Sequence, residues 1–159
     1  IAMSAENALA GQEHANYRAR TIHPGIATGR LIGGNLSLFS ALAGTPYAVD
    51  FTDAILYLEE VNEEPYRVDR MMTQLQLSQG FRKAAAVMLG IFENCEGVDG
   101  EGALSLDDTV DQHLLPLTRP AVAGYSFGHI RHQFTLPVGI RARLDTEQQT
   151  LTLLEPGVS

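Results

Sequence analysis

The chain has 159 residues and a formal net charge of −8 at pH 7, with 45% hydrophobic and 19% charged residues. These values are typical of a single globular domain that buries its own core. The acidic balance disfavours nucleic acid and an anionic membrane surface as partners, because both are bound through basic residues. The single cysteine cannot form an internal disulfide, and no apolar run reaches the roughly 18 residues of a membrane span.

The first 24 residues are polar, have no sustained hydrophobic period and end at the breaker sequence His23-Pro24-Gly25. We interpret residues 1–24 as an interdomain connector, with one helical turn near Ala8. The sequence starts Ile-Ala-Met rather than with Met. We therefore expect a piece of a longer protein, in which residues 25–159 form one domain.

Residues 26–32 predict a short strand that is closed by Gly33-Gly34. Asn35 is a typical N-cap, and we expect a helix after it that ends before Gly44. Residues 54–58 are continuously apolar, which is typical of a strand buried on both faces.

An amphipathic helix is predicted to begin at Pro65 and to end before Gly80. Its apolar face is formed by Val68, Met71, Met72 and Leu75. Residues 84–91 then read as a second buried strand.

Ser105 and Asp108 form a capping box, which predicts a helix that ends before Pro116. Residues 121–125 predict a third core strand. Two further apolar segments, residues 138–144 and 150–154, predict a β-hairpin. Strands that alternate with helices and end in a hairpin indicate an α/β fold with a largely parallel sheet.

The sequence Gly124-Tyr125-Ser126-Phe127-Gly128 matches the G-x-S-x-G pattern of a nucleophile elbow. That motif requires a helix directly after the serine, and the residues up to Pro137 show no helical apolar face. His129 lies only three residues from Ser126, whereas the members of a triad usually come from separate elements. We therefore expect Ser126 to be structural.

Cys95 is a second candidate nucleophile. Its neighbours Glu93, Glu96 and Asp99 are acidic, which disfavours a thiolate. We expect an inert cysteine.

A metal site formed by His129 and His132, with Asp107, Asp108 or His113, is a third possibility. An H-x-x-H pair alone is a weak signal, and no second ligand motif supports it. We predict no metal and no cofactor.

Glu59 and Glu60 stand where the buried strand at residues 54–58 ends. Ligands of open α/β sheets bind at the carboxyl ends of strands, so a carboxylate here could orient an imidazole. Strands also often end in charged residues, and the spacing alone leaves both interpretations open.

Four groups of segments resemble, in order, the C-terminal domain of the LD-carboxypeptidase family. They are residues 29–47 (GRLIGGNLSLFSALAGTPY), residues 55–61 (ILYLEEV) with 66–70 (YRVDR), residues 127–129 (FGH) with 135–139 (TLPVG), and residues 144–145 (LD) with 151–155 (LTLLE). Each match is weak alone, but together they span roughly residues 25–155.

The resemblance implies a two-domain serine peptidase with a Ser-His-Glu triad that is divided between the domains. Its N-terminal domain, absent from this chain, would carry the serine. This chain would be a swivelling β/β/α-type domain, with Glu59 as the triad acid and His129 as the general base. The implied substrate is the cytoplasmic murein tetrapeptide, which loses its terminal D-Ala in peptidoglycan recycling. The family further implies a homodimer.

Glu60 departs from the family pattern, since many relatives carry Asp at this position. Neighbouring side chains of a strand point to opposite faces, so only one of the two carboxylates can meet His129. Two other functions remain open: a microcin-immunity-type peptidase of the same superfamily, and a non-catalytic α/β interaction domain. The first is expected to stack a base on an aromatic ring, and this chain has no Trp.

Overall fold

The computed structural model describes residues 2–4, 18–78, 80–97 and 104–157. The helical turn expected near Ala8 lies outside these residues. The strands of the described residues are β1 (Ala2–Ser4), β2 (Arg20–His23), β3 (Ile26–Asn35), β4 (Ala54–Val61), β5 (Ala86–Glu93), β6 (Ala121–Ala123), β7 (Arg141–Asp145) and β8 (Thr150–Leu153). The α-helices are α1 (Leu36–Leu42), α2 (Pro65–Leu77) and α3 (Leu106–Leu114), and a 3-10 turn spans Phe81–Lys83.

The strands form one sheet in the order β1-β8-β7-β3-β4-β5-β6-β2. The central strands β3, β4, β5 and β6 run parallel to one another. β7 and β8 form the predicted antiparallel hairpin, and β7 pairs with β3. The α/β fold with a parallel core and a C-terminal hairpin, predicted from the sequence, is therefore confirmed.

The pleat of β4 divides the core into two parts. Leu56 and Leu58 pack with the helices on one face of the sheet. Ile55 and Tyr57 point to the other face, where they pack with residues of β7, β8 and the segment after β6. Because β4 is buried on both faces, it reads as an apolar run without alternation.

The strand ends differ from the predicted ones by a few residues, and the larger differences lie in residues 1–24 and in β3. Residues 1–24, which were expected to be a connector, contain β1 and β2, which pair antiparallel with β8 and β6 at the two edges of the sheet. β3 continues through Gly33-Gly34 to Asn35, where a break was expected. The glycines are used for close approach, since a Cβ on Gly33 would lie 1.7 Å from the carbonyl oxygen of Tyr57.

The helices begin where the sequence predicts. The side chain of Asn35 accepts a hydrogen bond from the backbone N–H of Leu38, and that of Ser105 accepts one from the N–H of Asp108. The face of α2 formed by Val68, Met71, Met72 and Leu75 is buried. None of the helices in the described residues is long and apolar enough to cross a membrane.

Two leucines of α2 test its orientation, because Leu75 is 1% exposed and Leu77 is 78% exposed. Leu75→Ala should lower the free energy of unfolding by about 2–5 kcal/mol, since it leaves a cavity between helix and sheet. Leu77→Ala removes the same atoms from a solvent-exposed side chain, and it should change the free energy of unfolding by less than about 0.5 kcal/mol. Denaturant unfolding of the two variants measures both values. Equal losses would contradict the packing of α2.

Candidate active site

Glu59 and His129 form a hydrogen-bonded pair. The Nδ1 atom of His129 lies 2.7 Å from Oε2 of Glu59. The side chain of Glu59 is 10% exposed and that of His129 is 54% exposed. A buried carboxylate thus holds a half-exposed imidazole. With Glu59 ionised, Nδ1 donates the proton and Nε2 is left as the basic nitrogen of the neutral ring.

The ends of three neighbouring strands, β4, β5 and β6, position the pair. Glu59 lies near the carboxyl end of β4, and the register of β4 with β5 shifts between Leu58 and Glu60. Beyond β6, the carbonyl oxygen of Phe127 accepts a hydrogen bond from the N–H of Ile91 at 2.9 Å. This bond fixes the segment that carries His129 beside the end of β4. A bulge next to a functional site is a common means of aiming a side chain.

Gly128 makes the contact between the two segments possible. Its φ is +127°, and a Cβ there would lie 2.8 Å from the carbonyl oxygen of Ile91 and 3.3 Å from Oε2 of Glu59. A residue with a side chain would be strained and would push the His129 segment away from Glu59. The second glycine of the G-x-S-x-G pattern is therefore explained by close packing against Glu59.

Glu60 points to the opposite face of the sheet and is 2% exposed. Its Oε1 accepts hydrogen bonds from Nδ2 of Asn35 at 2.7 Å and from the N–H of Val61 at 2.9 Å. Its Oε2 accepts from the N–H and the hydroxyl of Ser37, at 2.8 and 2.7 Å. Glu60 therefore ties the first turn of α1 to β4, and it does not contact His129.

A cavity of about 570 Å³ opens beside the pair. Tyr57 and Glu59 of β4 contribute one wall. The other lining residues come from the segment after β6: Phe127, Gly128, His129, Ile130, Gln133, Phe134, Thr135 and Leu136. The lining from described residues contains no Lys or Arg. The cavity is therefore a largely apolar space in which the Glu59–His129 pair is the charged feature.

Ser126 lacks the environment of a nucleophile elbow. In the described residues no helix follows Ser126 directly, and the residue is only 3% exposed. Its carbonyl oxygen accepts a hydrogen bond from the N–H of Phe134 at 2.8 Å. Ser126 belongs to the packed loop that supports His129.

Cys95 is fully buried. Burial, with a further contribution from the charges of Glu60, Glu96 and Glu63, raises the pKa of its thiol to about 11. The thiol therefore stays protonated near neutral pH and is a poor nucleophile. Of the acidic neighbours expected from the sequence, Glu96 contributes to the shift and Asp99 lies outside the described residues, and burial has the larger effect.

The remaining histidine and aspartate candidates are dispersed. Nε2 of His113 lies 2.8 Å from Oδ1 of Asp69, a contact that joins α3 to α2. The carboxylate of Asp108 accepts a hydrogen bond from the hydroxyl of Ser105, the N-cap of α3, and Asp107 lies 3.6 Å from Arg20. Among the described residues, no group of three His, Cys, Asp or Glu side chains could hold a metal ion.

Two features of the site were not found from the sequence. Tyr57 looked like one more residue of an apolar run, although it faces the cavity two positions before Glu59. The period of two along β4 could have identified it, because Tyr57 and Glu59 share a face. The second feature is the register shift opposite Glu59, for which Gly90 is the one signal in the sequence. A Cβ added at Gly90 would lie 2.4 Å from the carbonyl oxygen of Phe127.

Comparison with known proteins shows similarity over most of the chain. Residues 28–144 match the family described as LD-carboxypeptidase C-terminal domain. A probable murein peptide carboxypeptidase of Bacillus subtilis is 38% identical over 136 residues, which cover 86% of this chain and 42% of that protein. The crystal structure of muramoyltetrapeptide carboxypeptidase from Oxalobacter formigenes superposes with a TM-score of 0.74 at 31% identity, covering 91% of this chain and 53% of that one.

The similarity extends to a protein of different function. The microcin C7 self-immunity protein MccF of Escherichia coli is 25% identical over 138 residues, covering 85% of this chain and 39% of that protein. The chain spans less than half the length of the curated relatives named here.

Glu60 and Glu59 offer a matched pair of substitutions. In Glu60→Gln, the amide NH₂ must face donors whichever way it turns, because each carboxylate oxygen accepts two hydrogen bonds. We expect this variant to lose about 2–3 kcal/mol of unfolding free energy. Glu59→Gln, which faces the cavity, should lose less than about 1 kcal/mol. Denaturant unfolding measures both, and the reverse order would contradict the assignment of the two faces.

Proposed function

The chain belongs to the LD-carboxypeptidase C-terminal domain family, and we propose that it supplies Glu59 and His129 to the Ser-His-Glu triad of a serine carboxypeptidase. The proposed reaction is removal of the terminal D-Ala from murein tetrapeptide. The observation that carries the proposal is the 2.7 Å contact between Nδ1 of His129 and Oε2 of Glu59 at the edge of an open cavity.

The pair has the geometry of a base with its orienting acid. Nε2 of His129 makes no hydrogen bond to the described residues, so it is available to a serine hydroxyl. In the first step Nε2 takes the proton of the serine hydroxyl while the oxygen attacks the peptide carbonyl carbon. The imidazolium then gives this proton to the leaving amine, D-Ala departs, and an acyl-enzyme remains.

Hydrolysis of the acyl-enzyme repeats the same proton movements with water. His129 takes a proton from water as the oxygen attacks the acyl carbonyl, and returns it to the serine oxygen when the ester bond breaks. Glu59 accepts the Nδ1–H bond throughout and stabilises the imidazolium that forms twice in each cycle. Its burial strengthens this effect, since screening by water is weak there.

The nucleophile is proposed to come from an N-terminal domain outside this chain. Ser126 is buried in a loop without a following helix, and Ser37 is bound to Glu60 on the opposite face of the sheet. The half-exposed imidazole of His129 is suited to meet a serine that a second domain presents. The oxyanion hole would lie mainly in that domain, because backbone N–H groups beside the nucleophile usually form it.

The setting of the enzyme is part of the same proposal. We place the reaction in the cytoplasm, in peptidoglycan recycling, with murein peptide and the enzyme's own N-terminal domain as partners. A homodimer is expected from the family, and neither nucleic acid nor a membrane is proposed as a partner. The names of the relatives support the murein peptide as substrate class.

Two alternatives remain distinguishable. A microcin-immunity-type peptidase is supported by the 25% identity to MccF, but the Bacillus subtilis relative is 38% identical. A non-catalytic interaction domain would not require a buried carboxylate that is hydrogen-bonded to a half-exposed imidazole. Hydrolysis of murein tetrapeptide, compared with hydrolysis of an aminoacyl sulfamoyl nucleotide, separates the three functions.

In the intact enzyme, Glu59→Gln should reduce kcat by about 10⁴-fold, because the amide favours the wrong tautomer of His129 and cannot stabilise the imidazolium. His129→Ala should reduce kcat at least as much. The measurement is D-Ala release from murein tetrapeptide under saturating substrate.

Ser126→Ala and Cys95→Ala serve as controls for these variants, and each should change kcat by less than tenfold. Turnover near that of the wild type in Glu59→Gln or His129→Ala would mean that the wrong residues were assigned.

The 159-residue chain alone should release no D-Ala, because removing the nucleophile of a triad removes nearly all of its rate. Activity should return when the separately produced N-terminal domain is added at increasing concentration. The matched control is the His129→Ala chain mixed with the same domain, which should stay inactive. Robust turnover by the chain alone would contradict a triad divided between domains.

A further inference from the structure

Tyr57 carries an unused polar group in the wall of the catalytic cavity. The residue is 6% exposed, and it lines the cavity together with Glu59 and His129. Its hydroxyl makes no hydrogen bond to the described residues. The hydroxyl is not among the fully buried, unpaired polar atoms of the described residues, and its place in the cavity lining leaves it accessible to a partner that enters the cavity.

The ring of Tyr57 is held rigidly from two sides. It meets the ring of Phe127 edge to face, with 5.7 Å between centroids and an interplanar angle of 90°. On its other side the ring packs closely against Gly33 of β3, where an added Cβ would lie 2.8 Å from Cγ of Tyr57. A rigid ring delivers its hydroxyl at a fixed position, which favours a role in recognition.

The hydroxyl is a neutral hydrogen-bond donor at the pH of catalysis. Burial raises the pKa of Tyr57, so the group stays protonated. It therefore suits an acceptor oxygen of the substrate. No Lys or Arg lines the cavity among the described residues, so this part of the site offers an anionic substrate group neutral donors such as the Tyr57 hydroxyl.

The position of the cavity indicates which part of the substrate it receives. His129 must return its proton to the leaving amine, so the leaving residue lies next to the imidazole. In a D-Ala residue the carboxylate is separated from the amine nitrogen by one carbon atom. Tyr57 and Glu59 are two positions apart on the same face of β4, which puts them about 7 Å apart at their Cα atoms. A carboxylate near His129 is thus within reach of the Tyr57 ring.

We propose that the hydroxyl of Tyr57 donates a hydrogen bond to the terminal carboxylate of the leaving residue and so helps to select substrates that end in a free carboxylate. This proposal rests on the proposed function and deepens it, because it names a specificity-determining residue of the same site. Tyr57 contacts the substrate in this account and takes no part in proton transfer.

The test uses two substrates with the same acyl group in the intact enzyme. One is murein tetrapeptide, and the other is the p-nitrophenyl ester of the corresponding tripeptide, whose leaving group has no carboxylate. Tyr57→Phe should raise KM for the tetrapeptide about 10- to 100-fold, since a hydrogen bond to a charged group is lost. A contact made equally in ground and transition states changes KM and leaves kcat nearly unchanged. Hydrolysis of the ester should be unaffected.

Tyr125→Phe is the matched control. Tyr125 is 3% exposed, its hydroxyl is buried and makes no hydrogen bond to the described residues, and it does not line the cavity. The same atom is therefore removed from the same apolar cluster away from the substrate. Kinetic constants of this variant should equal those of the wild type.

Each other outcome overturns the proposal in a recognisable way. An equal loss with both substrates would mean that Tyr57 acts on the acyl group or on the catalytic pair. An unchanged KM in Tyr57→Phe, or the same rise in Tyr125→Phe, would show that the hydroxyl has no contact with the carboxylate. If the wild-type enzyme releases no D-Ala, or if His129→Ala is fully active, the proposed function itself fails, and the role of Tyr57 fails with it.

Discussion

At the carboxyl end of β4, the pleat of the strand sends two adjacent carboxylates to opposite faces of the sheet. Glu59 lines the cavity and bonds to His129, while Glu60 accepts three hydrogen bonds from the start of α1 and one from the N–H of its neighbour Val61. One strand end therefore carries the proposed catalytic carboxylate on one face and a structural carboxylate on the other. The two functions are independent only because side chains alternate along a strand.

The rest of the domain fixes the geometry of this strand end. β4 lies at the centre of the parallel strands and is buried on both sides, so the position of Glu59 is determined by the whole core. His129, in contrast, lies in a segment without regular structure, and backbone contacts with β5 hold it in place. A rigid carboxylate that holds a more exposed imidazole supports the proposal that a second domain completes the active site.

The sequence predicts the elements of the core well and those of the edges poorly. The apolar run of β4, the caps at Asn35 and Ser105, and the buried face of α2 follow from local patterns, and the structure confirms them. β2 has no such pattern, because an edge strand of three half-buried residues and one exposed residue needs no strict alternation. The contact of Glu59 with His129 could be expected only from the family resemblance, since it joins residues 70 positions apart. The role of Gly128 became clear only from the distance to Glu59, because a glycine leaves no sign in the sequence of what packs against it.

Glu59 and His129 are proposed to activate a serine that lies outside this chain. The most direct measurement is to treat the intact enzyme with a serine-directed fluorophosphonate and to locate the modified residue by peptide mapping. We expect one adduct, on a serine that is not among residues 1–159, and much slower labelling in the His129→Ala variant, because the hydroxyl is then no longer activated. An adduct on Ser126, or labelling at the wild-type rate in His129→Ala, would contradict this proposal.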